Sequence, residues 1–317
     1  RRGGRHCPHP MKTKTVTIGI SAYNEGENIA YLLDSITRQK QLSYTLEHVI
    51  VVSDGSSDKT DDIVRGFEKR IPYVHLVADG KRMGQVPRLN QMFAMNTSDI
   101  IVNFDGDATL GNDLVVEEIV KEFANERVGL VGGNDTPLPA RTFFERIVTT
   151  HIQLWYEIRK NINGGDTVYN HHGCVSALSG QCARQAAMPA DIMAQDTYLY
   201  FRAKELGMEF RHAKKAIVYY RAPATLRDYC AQTARFRKTK STITDHFGPW
   251  IERFRIIDRK KKIQCTIKMF FRHPVLTPLA VALAPLSKLC TKLCLETFNG
   301  STWAPVSSTK TGHGITI

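Results

Sequence analysis

"IIVNFDGDAT", residues 100–109, runs four apolar side chains into two carboxylates set two positions apart, Asp105 and Asp107. Ile, Val and Phe in so short a run, closed by Asp and Gly, read as a buried strand ending in a tight turn. Two like charges on one turn repel. A solvated surface loop would disperse that repulsion in water, whereas a bound cation would remove it. The stretches on either side bear on the choice.

Upstream, "TVTIGI" (15–20), "HVIVVS" (48–53) and "VHLVA" (74–78) share the β-branched character, and "VGLVGG" (128–133) repeats it downstream. Between them Ile29, Leu32, Leu33 and Ile36 fall on one helical face, as do Ile63, Val64 and Phe67, and then Val116, Ile119, Val120 and Phe123. Strand alternating with helix in this rhythm specifies an α/β fold, a mostly parallel central sheet with helices on both faces. Such sheets bind ligands in the crevice at the carboxyl ends of their strands. Polar residues gather at those ends: "SAYNEGEN" (21–28), Ser53 with Asp54, "DGKRMG" (79–84), and Asp105 with Asp107. Residues 134–250 read as more helical material of the same domain, because no Gly-, Ser- or Pro-rich linker sets them apart.

The 317 residues are 42% hydrophobic and 23% charged, a balance that excludes wholesale disorder. The net charge of +12 is concentrated, since residues 202–272 hold 19 Lys/Arg against 6 Asp/Glu. Such a block fits phosphate-bearing ligands, anionic lipid or nucleic acid, with a merely solvated basic face as the alternative. Seven cysteines without a CxxC pair, and no leader-like start, point to reduced thiols in a cytoplasmic setting. Residues 1–10 read as flanking sequence.

No segment reaches the roughly 20 apolar residues that span a bilayer. "HPVLTPLAVALAPLS" (273–287) comes nearest, broken by Pro274, Pro278 and Pro285, and it follows the interleaved basic and apolar residues of 251–272. Residues 251–317 therefore read as an interfacial segment with a tail, peripheral on an anionic membrane surface, or else as a buried helix pair.

Chemically, a divalent Mn²⁺ or Mg²⁺ takes one or two carboxylates and completes its shell with water and substrate phosphate. Gly106, between Asp105 and Asp107, lets phosphate oxygens approach the backbone. Lys81 and Arg82 add cations that suit a diphosphate, with an exposed basic turn as the alternative.

Six stretches in order, from about Thr15 to about Lys240, resemble the family 2 glycosyltransferases with the GT-A fold: "SAYNEGENI", "VVSDGSSDKT", "FDGDA", "GCVSALSGQCARQ", "MAQDTYLYFRAKELG" and "QTARFRK". The resemblance implies an enzyme that moves a sugar from a nucleotide-sugar donor, UDP-linked by preference, with inversion at the anomeric carbon. It implies that Ala22, Tyr23, Asn24, Glu25, Asp54, Lys81 and Asp105 face the donor and that Asp105 and Asp107 serve the metal. Asp196 would be the general base, with Gln232 and Arg235 over the diphosphate or the acceptor end. Two positions depart from the family's pattern: Gln195 stands where Glu precedes the base, and Phe236 stands where the last motif has Trp.

The processive synthases of this family carry membrane spans. Their absence here favours transfer of one sugar, or few, to a lipid-linked or growing glycan acceptor. A synthase-like subunit working with a separate membrane protein is the first alternative, and a nucleotidyltransferase the second. Nucleic acid is excluded as a partner, because the basic block lacks a recognisable binding motif.

Overall fold

The computed structural model describes residues 13–160 and 162–294, except for the side chains of 234–241 and 290–294. Strand and helix alternate as β1 (Lys14–Ala22), α1 (Ile29–Thr37), β2 (Tyr44–Ser53), α2 (Thr60–Glu68), β3 (Val74–Ala78), α3 (Gln85–Met95) and β4 (Ile100–Asp105). Then come β5 (Thr109–Leu110), α4 (Val115–Val120), β6 (Val128–Pro137), α5 (Phe143–Arg159), β7 (Val175–Ser179) and α6 (Gly180–Ala183). The rest is α7 (Gln195–Glu205), β8 (Glu209–Tyr220), α8 (Leu226–Phe247), α9 (Arg259–Arg272) and α10 (Leu276–Cys294).

All eight strands form one sheet in the order β3-β2-β1-β4-β7-β6-β8-β5. The half made of β3, β2, β1 and β4 is parallel throughout. In the other half β7 runs antiparallel to both β4 and β6, β8 is parallel to β6, and β5 is antiparallel to β8. The pleat divides β2 between two cores. Val49 and Val51 pack with Leu32 of α1, Val64 of α2 and Ile119 of α4, while Ile50 and Val52 pack with Leu89 of α3 and Leu199 of α7. A strand covered on both faces is apolar at successive positions, which is why "HVIVV" shows no alternation.

Residues 134–250 hold the helices α5, α6, α7 and α8, and with them three stretches of strand beyond that reading, the end of β6 and all of β7 and β8. β8 is hard to see in sequence because Arg211, Lys214 and Lys215 are exposed along it and its pairing with β6 shifts register between Gly132 and Asn134. One expectation needs correction: of the three prolines in the apolar run of 273–287, Pro274 lies between α9 and α10, but Pro278 and Pro285 do not break the helix. α10 continues through Pro285, and Pro278 lies in its first turn, where a missing N–H costs no helical bond.

α9 and α10 divide their faces. Ala280 and Leu283 of α10 bury against Ile147 and Val148 of α5 and Tyr229 of α8, and Met269 of α9 packs on Leu154 and Ile158. A buried Leu or Met contributes about 1.5–3 kcal/mol, enough to seat both helices. The opposite face leaves Ile263, Ile267, Phe271 and Leu279 exposed. Among the described residues no helix is long and apolar enough to cross a membrane.

Candidate active site

The parallel half brings three strand ends level. Ser21 of β1 lies beside Asp105 of β4, Ala22 pairs with Ser53 of β2, and the Asp54 N–H donates to the Ala22 carbonyl at 2.8 Å. The loop after β1 is held by the loop after β2. Asn24 adopts a left-handed φ of 52°, which its short polar side chain tolerates. Its N–H donates to Ser56 Oγ at 3.1 Å, and its Oδ1 accepts from the Ser57 N–H at 2.8 Å. Glu25 is buried, with its N–H donating to Thr60 Oγ1 at 2.8 Å and its Oε2 accepting from Asn28 Nδ2 at 3.0 Å.

Asp54 is the centre of a network. Its carboxylate accepts from the Met83 N–H at 2.7 Å, the Gly84 N–H at 3.0 Å, Arg82 Nη1 at 2.5 Å and Arg88 Nε at 3.0 Å. Arg88 is fully buried, and its other nitrogens donate to Asp79 Oδ1 at 2.6 Å and to the Lys81 carbonyl at 2.5 Å. The Arg88 guanidinium, helped by the Lys81 N–H, holds the Asp79 carboxyl well below the usual range. Arg82 also lies over the Tyr23 ring, 3.3 Å from its centroid. Lys81 is exposed, and it is its backbone that joins the network.

A small pocket opens between β4 and α7, lined by Ser21, Gln85, Asp105, Gly173, Gln195 and Asp196 among others. It brings together two of the predicted carboxylates, Asp105 and Asp196. Asp105 Oδ1 accepts from Gln85 Nε2 at 3.0 Å, and its N–H donates to the Cys174 carbonyl at 3.2 Å. Burial, followed by the charges of Asp107, Glu25, Asp135 and Asp196, pushes the Asp105 carboxyl well above the ordinary range. Asp196 sits in the first turn of α7, with Oδ1 accepting from the Thr197 N–H at 2.7 Å. Burial raises its pKa in spite of that bond.

A Cβ built on Gly173 would lie 3.3 Å from Gln195 Nε2 and 3.6 Å from Asp105 Oδ2, so both side chains reach the same spot. A carboxylate at 195 would add one more negative charge to this group, whereas the amide of Gln195 does not. His171 completes the mount of Asp196, since its Nδ1 donates to the Asp196 carbonyl at 2.7 Å while Nε2 meets Ser176 Oγ at 2.8 Å. Burial pushes the His171 imidazole down to about 4, so the ring is neutral at pH 7.

Glycosyl transferase family 2 has a sequence profile that matches residues 17–179, and the profile of glycosyl transferase family group 2 matches residues 100–291. The chain belongs to glycosyltransferase family 2. It is 26% identical over 275 residues to the probable glycosyltransferase YdaM of Bacillus subtilis, a match covering 81% of this chain and 62% of that protein. It is 20% identical over 282 residues to a poly-β-1,6-N-acetyl-D-glucosamine synthase of Staphylococcus epidermidis, covering 88% and 66%. The chain thus spans about two thirds of the length of these relatives. A solved mannosyltransferase of Pyrobaculum calidifontis, in complex with GDP-mannose and Mn²⁺, superposes with a TM-score of 0.58 at 21% identity, covering 92% of this chain and 81% of that one. That likeness establishes the shared GT-A fold.

Within this family 2 chain the predicted residues fall into two groups. Ala22, at the end of β1, and Tyr23, Asn24, Glu25 and Asp54, on the adjoining loops after β1 and β2, make one group, and Asp105, Asp107 and Asp196 gather around the end of β4. Gln232 is half-buried on α8 and does not line the pocket, and the Arg235 side chain lies outside the described residues. Sequence reasoning missed Arg88, Gln85, His171 and Asp135. Arg88 left a trace, since Val86, Leu89 and Phe93 repeat at helical spacing and a charged residue sits on their buried side. The other three left none, because their roles come from elements distant in sequence.

Proposed function

We propose that this protein transfers a sugar from a nucleoside diphosphate donor to a hydroxyl of a carbohydrate or lipid-linked acceptor, by one direct displacement that inverts the anomeric carbon. The observation that carries the reading is the pocket lined by both Asp105, at the end of β4, and Asp196, at the start of α7. Asp54 and the loop after β1 take the base and ribose side. Asp196 is the general base, and its raised pKa suits a group that must hold the acceptor proton as the oxygen attacks. The neutral His171 fixes the backbone at Asp196.

The carboxylates suit a divalent cation. Among the described residues no three His, Cys, Asp or Glu side chains form a self-sufficient metal cage. Burial, and then the charges of Asp107 and Glu25, raise the Asp105 carboxyl, and Asp105 with Asp107 suits an open site completed by phosphate. Asp107 and Asp105 would hold Mn²⁺ or Mg²⁺, which offsets the charge building on the departing diphosphate.

Titration calorimetry tests both parts. UDP should bind clearly more tightly with Mn²⁺ than without, and Asp107→Asn should abolish that difference. GDP and the corresponding sugar nucleotides belong in the same series. Equal affinities with and without metal in the wild type would sink the metal site.

We further propose that the exposed faces of α9 and α10 rest on an anionic membrane on the cytoplasmic side, with a separate membrane protein as the alternative partner. Phe271, in the last turn of α9, is 80% exposed and Val275, just beyond it, 69%, and the first turn of the same helix carries Arg259, Lys260, Lys261 and Lys262. Each Lys or Arg near such a surface contributes on the order of 1 kcal/mol, screened by salt. Flotation with anionic liposomes should show binding at low salt and partial release at high salt. Neutralising these four residues should weaken it and spare nucleotide binding. A wild type that stays unbound at low salt would point to a soluble acceptor.

A further inference from the structure

The loop after β3 crosses toward the loops after β1 and β2. It runs through Gly80 and Gly84, with left-handed φ values of 71° and 96°, and it lies close on the loop after β2, where a Cβ built on Gly55 would meet the Lys81 backbone carbon at 3.0 Å. Between those glycines Arg82 reaches Tyr23 and Asp54 together. Its guanidinium carbon is 3.3 Å from the Tyr23 ring centroid, and its Nη1 donates to Asp54 Oδ2 at 2.5 Å. A guanidinium is flat, so it can stack on a ring while its edge donates hydrogen bonds.

Asp54 has no acceptor site to spare. Oδ1 accepts from the Met83 N–H, the Gly84 N–H and Arg88 Nε, and Oδ2 accepts from the Gly84 N–H and Arg82 Nη1. A carboxylate offers about four lone-pair sites, so another donor bonds there only by displacing one of these. The donors differ in how firmly they are held. Two belong to the backbone. The Arg88 side chain is 1% exposed and also bonds Asp79 and the Lys81 carbonyl. The Arg82 side chain is 31% exposed, and water weakens an ion pair as exposed as that. Arg82 is the donor that yields.

A planar ring with an N–H on its edge makes the same two contacts, a stack on Tyr23 and a hydrogen bond to Asp54. Uracil and guanine are such rings. We infer that Arg82 is a displaceable cover on the base side of the donor site, an internal competitor that the nucleobase pushes off Tyr23 and Asp54 as it enters. This rests on the glycosyl-transfer reading above, which puts the base beside Asp54. It goes beyond that reading by naming the side chain that donor binding displaces and the cost it sets on affinity.

The test compares the wild type with Arg82→Gln and Arg82→Lys by titration calorimetry. The probes are uridine and guanosine, which lack phosphate, so that no contact between Arg82 and a diphosphate enters the comparison. UDP and GDP with Mn²⁺ are titrated in parallel. A part-exposed cation stacked on a ring and paired with a carboxylate corresponds to about 10-fold in affinity. Arg82→Gln should therefore bind the preferred nucleoside about 10-fold more tightly than wild type. Arg82→Lys should fall between, because it keeps the charge and loses the flat fork. The melting temperature of Arg82→Gln should stay near wild type, since Arg88 and the two backbone N–H groups still hold Asp54.

A nucleoside affinity in Arg82→Gln equal to or below wild type would overturn the cover and make Arg82 a wall of the base site. Loss of nucleoside binding in both variants, with lowered melting temperatures, would overturn it too, since Arg82 would then hold the loops together. In either case a wild type that binds UDP or GDP with Mn²⁺ leaves the glycosyl-transfer reading standing. If neither the wild type nor the variants bind any of the four probes, that reading fails, and the cover fails with it.

Discussion

Asp196→Asn is expected to bind donor nucleotide about as well as wild type and to lose transfer by about 10²-fold or more, the usual scale for removing a general base. The amide keeps the volume at the start of α7 and can still accept the Thr197 N–H, so the pocket survives while the proton has no acceptor. The pH dependence follows from the sign of the shift. Burial raises the Asp196 pKa above its ordinary 3.8, and only the ionised form takes a proton. Transfer by the wild type should therefore fall as pH drops through that raised value, with an acid limb above the ordinary carboxylate range. Single-turnover rates across pH, with donor affinity measured in parallel, check both statements. Full activity in the variant would move the base elsewhere, Asp191 being a nearby carboxylate.

Arg88→Met carries the largest expected effect on stability. The guanidinium ties Asp54 and Asp79 together from a fully buried position, so its removal leaves Asp54 short of its main buried counter-charge. Breaking a buried pair by removing one partner costs about 3–5 kcal/mol. The lower end applies, because the Asp79 side chain is 40% exposed and can rehydrate, and Arg82 and two backbone N–H groups still reach Asp54. The urea midpoint should fall accordingly with an unchanged slope. Arg88→Lys should recover part of the loss, since a point charge cannot span both carboxylates as the fork does. A midpoint equal to wild type would mean that Asp54 is held by its backbone donors alone, and that Arg88 is dispensable to the loop between β3 and α3.

The sequence by itself determined the parallel half of the sheet, its covering helices and the turn that carries Asp105 and Asp107. There the signal is local. β-branched runs bury on both faces, and Ile29, Leu32, Leu33 and Ile36 bury together on α1 as their spacing requires. The same local reading marked Asp54, which follows β2, whereas Asp196 was marked only by the resemblance to the family 2 glycosyltransferases.

Only the tertiary structure decided the rest. β8 carries its charges outward across a register shift, so no simple period reveals it. α10 runs through Pro285 because packing on α5 and α8 outweighs the lost helical bond. Whether Asp54 faces open solvent or a buried arginine depends on where α3 docks. Whether β6 joins the sheet beside the site depends on β7 inserting antiparallel between β4 and β6. Burial and charge proximity are set by elements far apart in the chain, and composition or spacing at any one position does not encode them.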